Sequence, residues 1–281
     1  MKPDFHAIRE SILDKQKKNT VLIAAHRGTH GGNIVQNTIP AFQNALIHQA
    51  DILEVDASMT RDGVFYAFHD GHEADVMGVK KSIKKMTAKE VDGLHLLNSV
   101  THKISRGANR LDEIIDFIRD KDTLINIDRS WFYWKEILSL LKRHNLPEKI
   151  FIKSPPKPEF LDYLEDCGVF VMYMPIISNM KELELVKSKK INLLGVELIF
   201  QDGNSELISE KQMEQYHTEK LLVWGNAITL DDRHHLSGDY TDDYAILRGP
   251  GETWGWLIKR GFTILQTDWP LLMKQYLLSM K

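Results

Sequence analysis

Cysteine is nearly absent. The 281-residue chain has one, Cys167, which excludes an intrachain disulfide and a cysteine-rich zinc site and leaves a small hydrophobe as the expected reading. A basic excess is missing too. The formal net charge is −3, so nothing draws a polyanion to the surface and nucleic acid is not an expected partner. No apolar run approaches the length of a membrane span, so stable membrane insertion is not expected. The first twenty residues hold no apolar core of signal-peptide length. A cytoplasmic location is therefore expected, and a leader trimmed ahead of this chain would change that. There is no linker, low-complexity tract or solenoid-period repeat. One domain spanning 1–281 is expected, and oligomeric state is not legible.

What is present is concentrated between Val21 and Asp70. An apolar run, Val21 to Ala25, ends at His26-Arg27-Gly28. A second ends in Glu54-Val55-Asp56, and a third, Val64 to Phe68, ends at His69-Asp70. Side chains alternate along a strand, so Glu54 and Asp56 share one face, roughly 7 Å apart, and both can reach one cation. Asp62-Gly63 is a hairpin signal. A two-residue turn there pairs Arg61 with Val64 and sets Asp56 opposite His69. The loop from His26 to Gln36 holds Gly28, Gly31 and Gly32, which read equally as turn formers and as an anion cradle. Asn37 or Thr38 reads as a helix cap, with Pro40 in the first turn.

These motifs together, His26-Arg27-Gly28, Asn37-Thr38, Glu54-Val55-Asp56, Thr60-Arg61-Asp62-Gly63 and His69-Asp70, resemble the signature of the glycerophosphodiester phosphodiesterase family over about fifty residues. The resemblance implies a (β/α)8 TIM barrel. It also implies phosphodiester cleavage with a divalent metal and two histidines, either by water directly or through a cyclic phosphate. The family carries a variable insertion after the strand ending at His69, here about 71–110. Its usual Leu-x-Arg-Thr pattern is absent after His69-Asp70, so substrate choice does not carry over.

The rest of the chain alternates. Strands are expected at 123–128, 149–153, 169–174, 192–197, 221–225 and 262–266, and helices at 111–119, 134–143, 159–165, 181–187, 205–216, 240–247, 253–259 and 270–278. With the first two strands, this makes eight strand–helix units, the count of a closed parallel barrel. Residues 4–18 have helical period and read either as a plug across the barrel bottom or, the plainer reading, as a surface helix. Thr87-Ala88-Lys89-Glu90 is a capping box.

A barrel of this kind places its site at the C-terminal strand ends. Those ends are His26-Arg27, Glu54/Asp56, Asp128, Lys153, Tyr173, Glu197, Trp224/Asn226 and Asp268. Asp128 resembles the family's third carboxylate, usually a glutamate. The family's lysine two residues later is Ser130 here, and Lys153 is the expected replacement. Three carboxylates, Glu54, Asp56 and Asp128, make a hard oxygen site for Mg²⁺ or Ca²⁺. His26 and His69 are the expected acid and base, in an order sequence does not give. Arg27, Lys153, Glu197 and Trp224 are the expected substrate contacts. Trp131, Phe132, Tyr133 and Trp134 read as pocket wall or as packing. His234 and His235 read as solvated loop residues.

The expected activity is hydrolysis of a small phosphodiester to an alcohol and a phosphomonoester. The alternatives are phospholipase-D-like action on lysolipids, for which an exposed apolar surface near the mouth is expected, and a barrel that binds a phosphometabolite without turnover.

Overall fold

A computed structural model describes residues 4–167, 171–231 and 233–280. Eight parallel strands close into a barrel: β1 (Leu22–Ala25), β2 (Ile52–Met59), β4 (Leu124–Asp128), β5 (Ile150–Ser154), β6 (Met172–Ile177), β7 (Gly195–Leu198), β8 (Leu222–Asn226) and β11 (Ile264–Thr267). Closure is the pairing of β1 with both β2 and β11. This is the expected (β/α)8 barrel. Helices lie between the strands: α2 (Ile39–Ile47), α4 (Leu111–Ile118), α5 (Trp134–His144), α6 (Pro158–Asp166), α7 (Met180–Lys187), α8 (Glu210–Thr218), α9 (Asp242–Arg248), α10 (Trp254–Arg260) and α11 (Pro270–Ser279). No described helix is long and apolar enough to cross a membrane.

The alternation of a strand buried on both faces splits the core in two. Leu22, Ala24, Ile52, Leu124, Phe151, Met172, Leu222 and Ile264 fill the barrel interior. Their neighbours, such as Leu53, Ile125 and Ile152, face the helices. α1 (Phe5–Lys17) sets Phe5, Ile8, Ile12 and Leu13 against the interior cluster, so it plugs the barrel and is not a bystander on the surface. Asp4 starts it by accepting from the amides of His6 and Ala7.

Three expectations need correction. The hairpin arm β3 (Phe65–Ala67) pairs with β2 as Ala57↔Ala67 and Met59↔Phe65. The turn therefore holds three residues, Arg61 to Gly63, with Gly63 at φ +84°. This slides the register by one, so Asp56 lies opposite Phe68, whose amide donates to the Asp56 carbonyl at 3.0 Å. Asp62 serves the insertion instead, its carboxylate accepting from the Ala88 amide to help start α3 (Ala88–Asp92). The Thr87–Glu90 capping box is present there.

β6 does not stop at 174 but runs on past Pro175, which pairs with Ser154. The expected start, 169–170, lies outside the described residues. The missing N–H of Pro175 breaks only one rung of the ladder. Tyr173, expected at the strand's end, instead lies near its start and faces outward, its hydroxyl 2.8 Å from Ser154 Oγ. Cys167, at the end of α6, is exposed and not buried.

The insertion after β3 has no strand. A π-turn at Glu73–Met77, a 3-10 turn at Ile83–Lys85 and α3 close over a small core of Tyr66, Phe68, Met77, Ile83 and Val91.

Candidate metal and acid–base site at the barrel mouth

Parallel pairing of β2 with β4 puts Asp56 level with Asp128 and Glu54 level with Asn126. Glu54, Asp56 and Asp128 all face inward there, and a ligand oxygen from each lies within 4.8 Å of the others. Glu54 and Asp56 are each only 2 % exposed. The Glu54 carboxylate accepts from the Arg27 amide at 2.8 Å. Asp56 Oδ2 accepts from Asn37 Nδ2 at 2.9 Å and lies 2.9 Å from Arg27 Nε. Asp128 Oδ1 is buried without any hydrogen-bond partner.

Burial and mutual repulsion work against three anions here. Burial, then the charges of Asp56 and Asp128, hold Glu54 well above the ordinary carboxylate range, against the pull of Arg27. Burial pushes Asp128 up to about 6, opposed by the Lys153 charge and reinforced by Glu197 and Asp56. An orphaned buried oxygen among crowded oxygen donors fits a hard divalent cation, which satisfies the donor and restores ionisation.

The two histidines follow β1 and β3, which pair with successive parts of β2, the strand that carries Glu54 and Asp56. His26 follows β1; its amide bonds Thr267 O, and its Nδ1 lies 2.9 Å from Asp268 Oδ1. His69 follows the hairpin arm that bonds to Asp56. Its Nδ1 donates to the Asp70 carbonyl at 2.8 Å, leaving Nε2 unprotonated in the neutral ring. Burial, with help from Arg27, Arg129 and His72, lowers His69 to about 4, although Asp56 pulls the other way. The His72 ring packs edge-on against it, centroids 4.6 Å apart.

The backbone around these groups is held in unusual shapes. Arg27, Asn37 and Arg129 all have φ between +54° and +57°, a region costly for side chains other than asparagine and concentrated at functional sites. Arg129 is locked by two bonds to Asp70 Oδ1, while Lys84 pairs with Oδ2 at 2.6 Å. Gly28 is needed for another reason: a Cβ there would meet the Ala41 backbone at 2.7 Å. The glycine loop thus seats α2 against the barrel, while Gly31 and Gly32 face open space.

Lys153, Glu197 and Trp224 come together on the far strands. Lys153 Nζ pairs with Glu197 Oε2 at 2.8 Å and lies 3.1 Å from the Trp224 ring centre. Asn226 bridges them, donating to Glu197 Oε1 at 2.7 Å and accepting from Trp224 Nε1 at 3.0 Å. Lys153 faces into the barrel, close enough for its charge to act on Asp128. Ser130 Oγ only bonds Ile127 O. Trp134 packs outside the barrel with Phe160 and Tyr173, whereas Phe132 and Tyr133 lie under Lys84. His234 pairs with Asp231 on an exposed ribbon, β9 (Thr229–Asp231) with β10 (His234–His235).

Sequence reasoning missed several partners. Asn37 clamps Asp56 through both ends of its amide instead of capping α2; its place in the motif was the available signal. Asp242 was invisible, because it opens a helix and its place beside the end of β11 comes from the fold and not from the local sequence.

Comparison with known proteins places residues 26–143 in the glycerophosphoryl diester phosphodiesterase family model, and residues 173–277 in a domain family of unknown function. A glycerophosphodiester phosphodiesterase of Caldanaerobacter subterraneus is 29% identical over 140 residues, 47% of this chain and 57% of that protein. The match thus spans little more than half of that relative. Human lysophospholipase D GDPD1 is 22% identical over 95% of this chain and 90% of its own. Among solved structures, a Parabacteroides distasonis glycerophosphoryl diester phosphodiesterase superposes with TM-score 0.77 at 15% identity, covering 95% of this chain and 92% of that one. An Oleispira antarctica phosphodiesterase, solved with its product sn-glycerol-3-phosphate, gives 0.65 at 16%, covering 92% and 96%. At these identities the structural likeness speaks for the fold.

Proposed function

From the premise that the chain belongs to the glycerophosphoryl diester phosphodiesterase family, we propose that it hydrolyses a glycerophosphodiester or similar small phosphodiester to an alcohol and a phosphomonoester. The observation that carries this reading is the convergence of Glu54, Asp56 and Asp128 within 4.8 Å at a mouth flanked by two histidines. The carboxylates would hold Mg²⁺ or Ca²⁺. Such an ion, when bound, neutralises phosphoryl charge and favours ionisation of the attacking hydroxyl.

The chain's own residues do the rest. Arg27, fixed against Asp56, presents a guanidinium to a phosphoryl oxygen. Lys153 supplies the cationic charge that Ser130 does not. In-line displacement needs one group to take a proton and another to give one. His69, buried with a low pKa, is neutral at pH 7 and suits the acceptor, through Nε2. His26 then delivers a proton to the departing alcohol oxygen.

A second reading, action on lysolipids, has one observation in its favour. Beside the mouth, Trp269, Leu271 and Leu272 are exposed and wall a cavity of about 510 Å³ with Thr29, His30 and His48. The test is phosphorus NMR of glycerophosphocholine and of lysophosphatidylcholine incubated with the protein in Mg²⁺ or Ca²⁺. A phosphomonoester signal from the first supports the proposal, and one from the second alone supports the lysolipid reading. No product from either, nor from bis(p-nitrophenyl) phosphate, points to a binding barrel.

A further inference from the structure

The His26 imidazole is not held by the metal cluster. It is held from the opposite end of the barrel closure. β1 and β11 pair with Ala25 against Thr267, so the next residue on each strand, His26 and Asp268, emerges side by side. The His26 amide bonds Thr267 O at 3.2 Å, and the ring reaches Asp268 Oδ1 at 2.9 Å. Asp268 is itself fixed. Its amide donates to Asp242 Oδ2 at 2.8 Å, while Asp242 Oδ1 accepts from Trp254 Nε1 and Thr267 Oγ1, both at 2.8 Å. Burial opposes ionisation of Asp268, yet the hydrogen bond and charge of His26, with His30 and Arg27, bring it below the ordinary carboxylate value.

We propose that Asp268 is a positioning residue for His26: it accepts the Nδ1 proton, fixes the tautomer that leaves Nε2 facing the reaction, and stabilises the protonated ring. Asp242 anchors Asp268 in turn. The contrast with His69 gives this its meaning. His69 Nδ1 rests on a neutral carbonyl, whereas His26 rests on a carboxylate, and a carboxylate partner favours a ring that must carry a proton. The inference rests on the proposed acid–base role of His26.

The test compares Asp268→Asn, Asp268→Ala, His26→Ala and His26→Ala/Asp268→Ala in steady-state hydrolysis of glycerophosphocholine, whose alcohol leaving group needs a proton, with saturating Mg²⁺ or Ca²⁺. The same proteins are examined by nitrogen NMR of the histidine rings. Asp268→Asn is nearly isosteric and keeps the main-chain bond to Asp242, so it covers the case in which the alanine variant fails to fold. Positioning predicts a kcat loss on the order of tenfold or more with KM within about twofold. It predicts no further loss when Asp268→Ala is added to His26→Ala. It also predicts that the protonated Nδ1 signal of His26 is lost or moved to Nε2. Wild-type kcat and an unchanged ring in Asp268→Asn, beside an inactive His26→Ala, overturn the positioning role and leave the hydrolase reading standing. Independent, additive losses overturn it too. Full activity in His26→Ala overturns both.

Discussion

Single residues at this mouth are explained by what they lack as much as by what they touch. Asp128 Oδ1 has no partner although it is buried, and Asp128 is pushed up to about 6. Both facts fit the proposed ligand role, in which a cation would give that oxygen a partner and favour ionisation. His69 has one nitrogen committed and one free. His69→Ala is expected to lower kcat by roughly 10²-fold or more, as for loss of a general catalyst; near-normal turnover would remove it from the mechanism. Asp242 makes a separate prediction about stability. Burial above all, with the Asp268 charge, raises it to about 7. The folded state therefore keeps this proton between the unfolded carboxylate value, about 4, and pH 7. The native form binds more protons than the unfolded one there, so Asp242's contribution to stability falls as pH rises through that window. Asp242→Asn should flatten the fall by a few kcal/mol at most, in order of magnitude, when urea unfolding is compared at pH 5 and pH 7.5. An unchanged slope would contradict the assignment.

At the level of elements, the order of strands and helices was legible because alternation at barrel period is a repeated signal, read eight times over. So were Glu54 and Asp56, whose period-two spacing fixes one face whatever the neighbours do. The hairpin register was not, because Asp-Gly serves two-residue and three-residue turns alike, and the choice depends on Gly63 adopting φ +84°. The plug formed by α1 was legible only as an amphipathic pattern, since nothing local says which surface its Ile12 and Leu13 will meet. The seating of α2 by Gly28 gives a direct test. Gly28→Ala adds a Cβ at 2.7 Å from the Ala41 backbone on a residue at φ +74° and should cost about 2 kcal/mol or more in urea unfolding. Gly93→Ala, with no contact closer than 3.5 Å, should stay within about 0.5 kcal/mol. Equal effects would show that α2 is not held by this close approach.

On the scale of the whole molecule, the barrel gathers groups that lie more than two hundred residues apart in the chain, as His26 and Asp268 do. Such partnerships have no signature in local sequence. The buried network of Lys153, Glu197, Asn226 and Trp224 is the same case: each residue was legible as a strand end, but their pairing follows from neighbouring strands and not from spacing. The cluster of carboxylates also couples function to stability. In chelator, Asp128→Asn should raise the melting temperature, because one buried charge in a repelling group is gone. Added Mg²⁺ or Ca²⁺ should raise the melting temperature of the wild type by mass action and leave that variant nearly unmoved. A cation-dependent rise of equal size in both would place the ion elsewhere.

The most direct measurement is the rate of glycerophosphocholine hydrolysis as Mg²⁺ or Ca²⁺ is titrated into chelator-treated protein, for the wild type and for Asp128→Asn. The predicted result is no turnover without cation, a saturable return of activity in the wild type, and little or none in the variant. Full hydrolysis in excess EDTA, or equal recovery in both proteins, would contradict it.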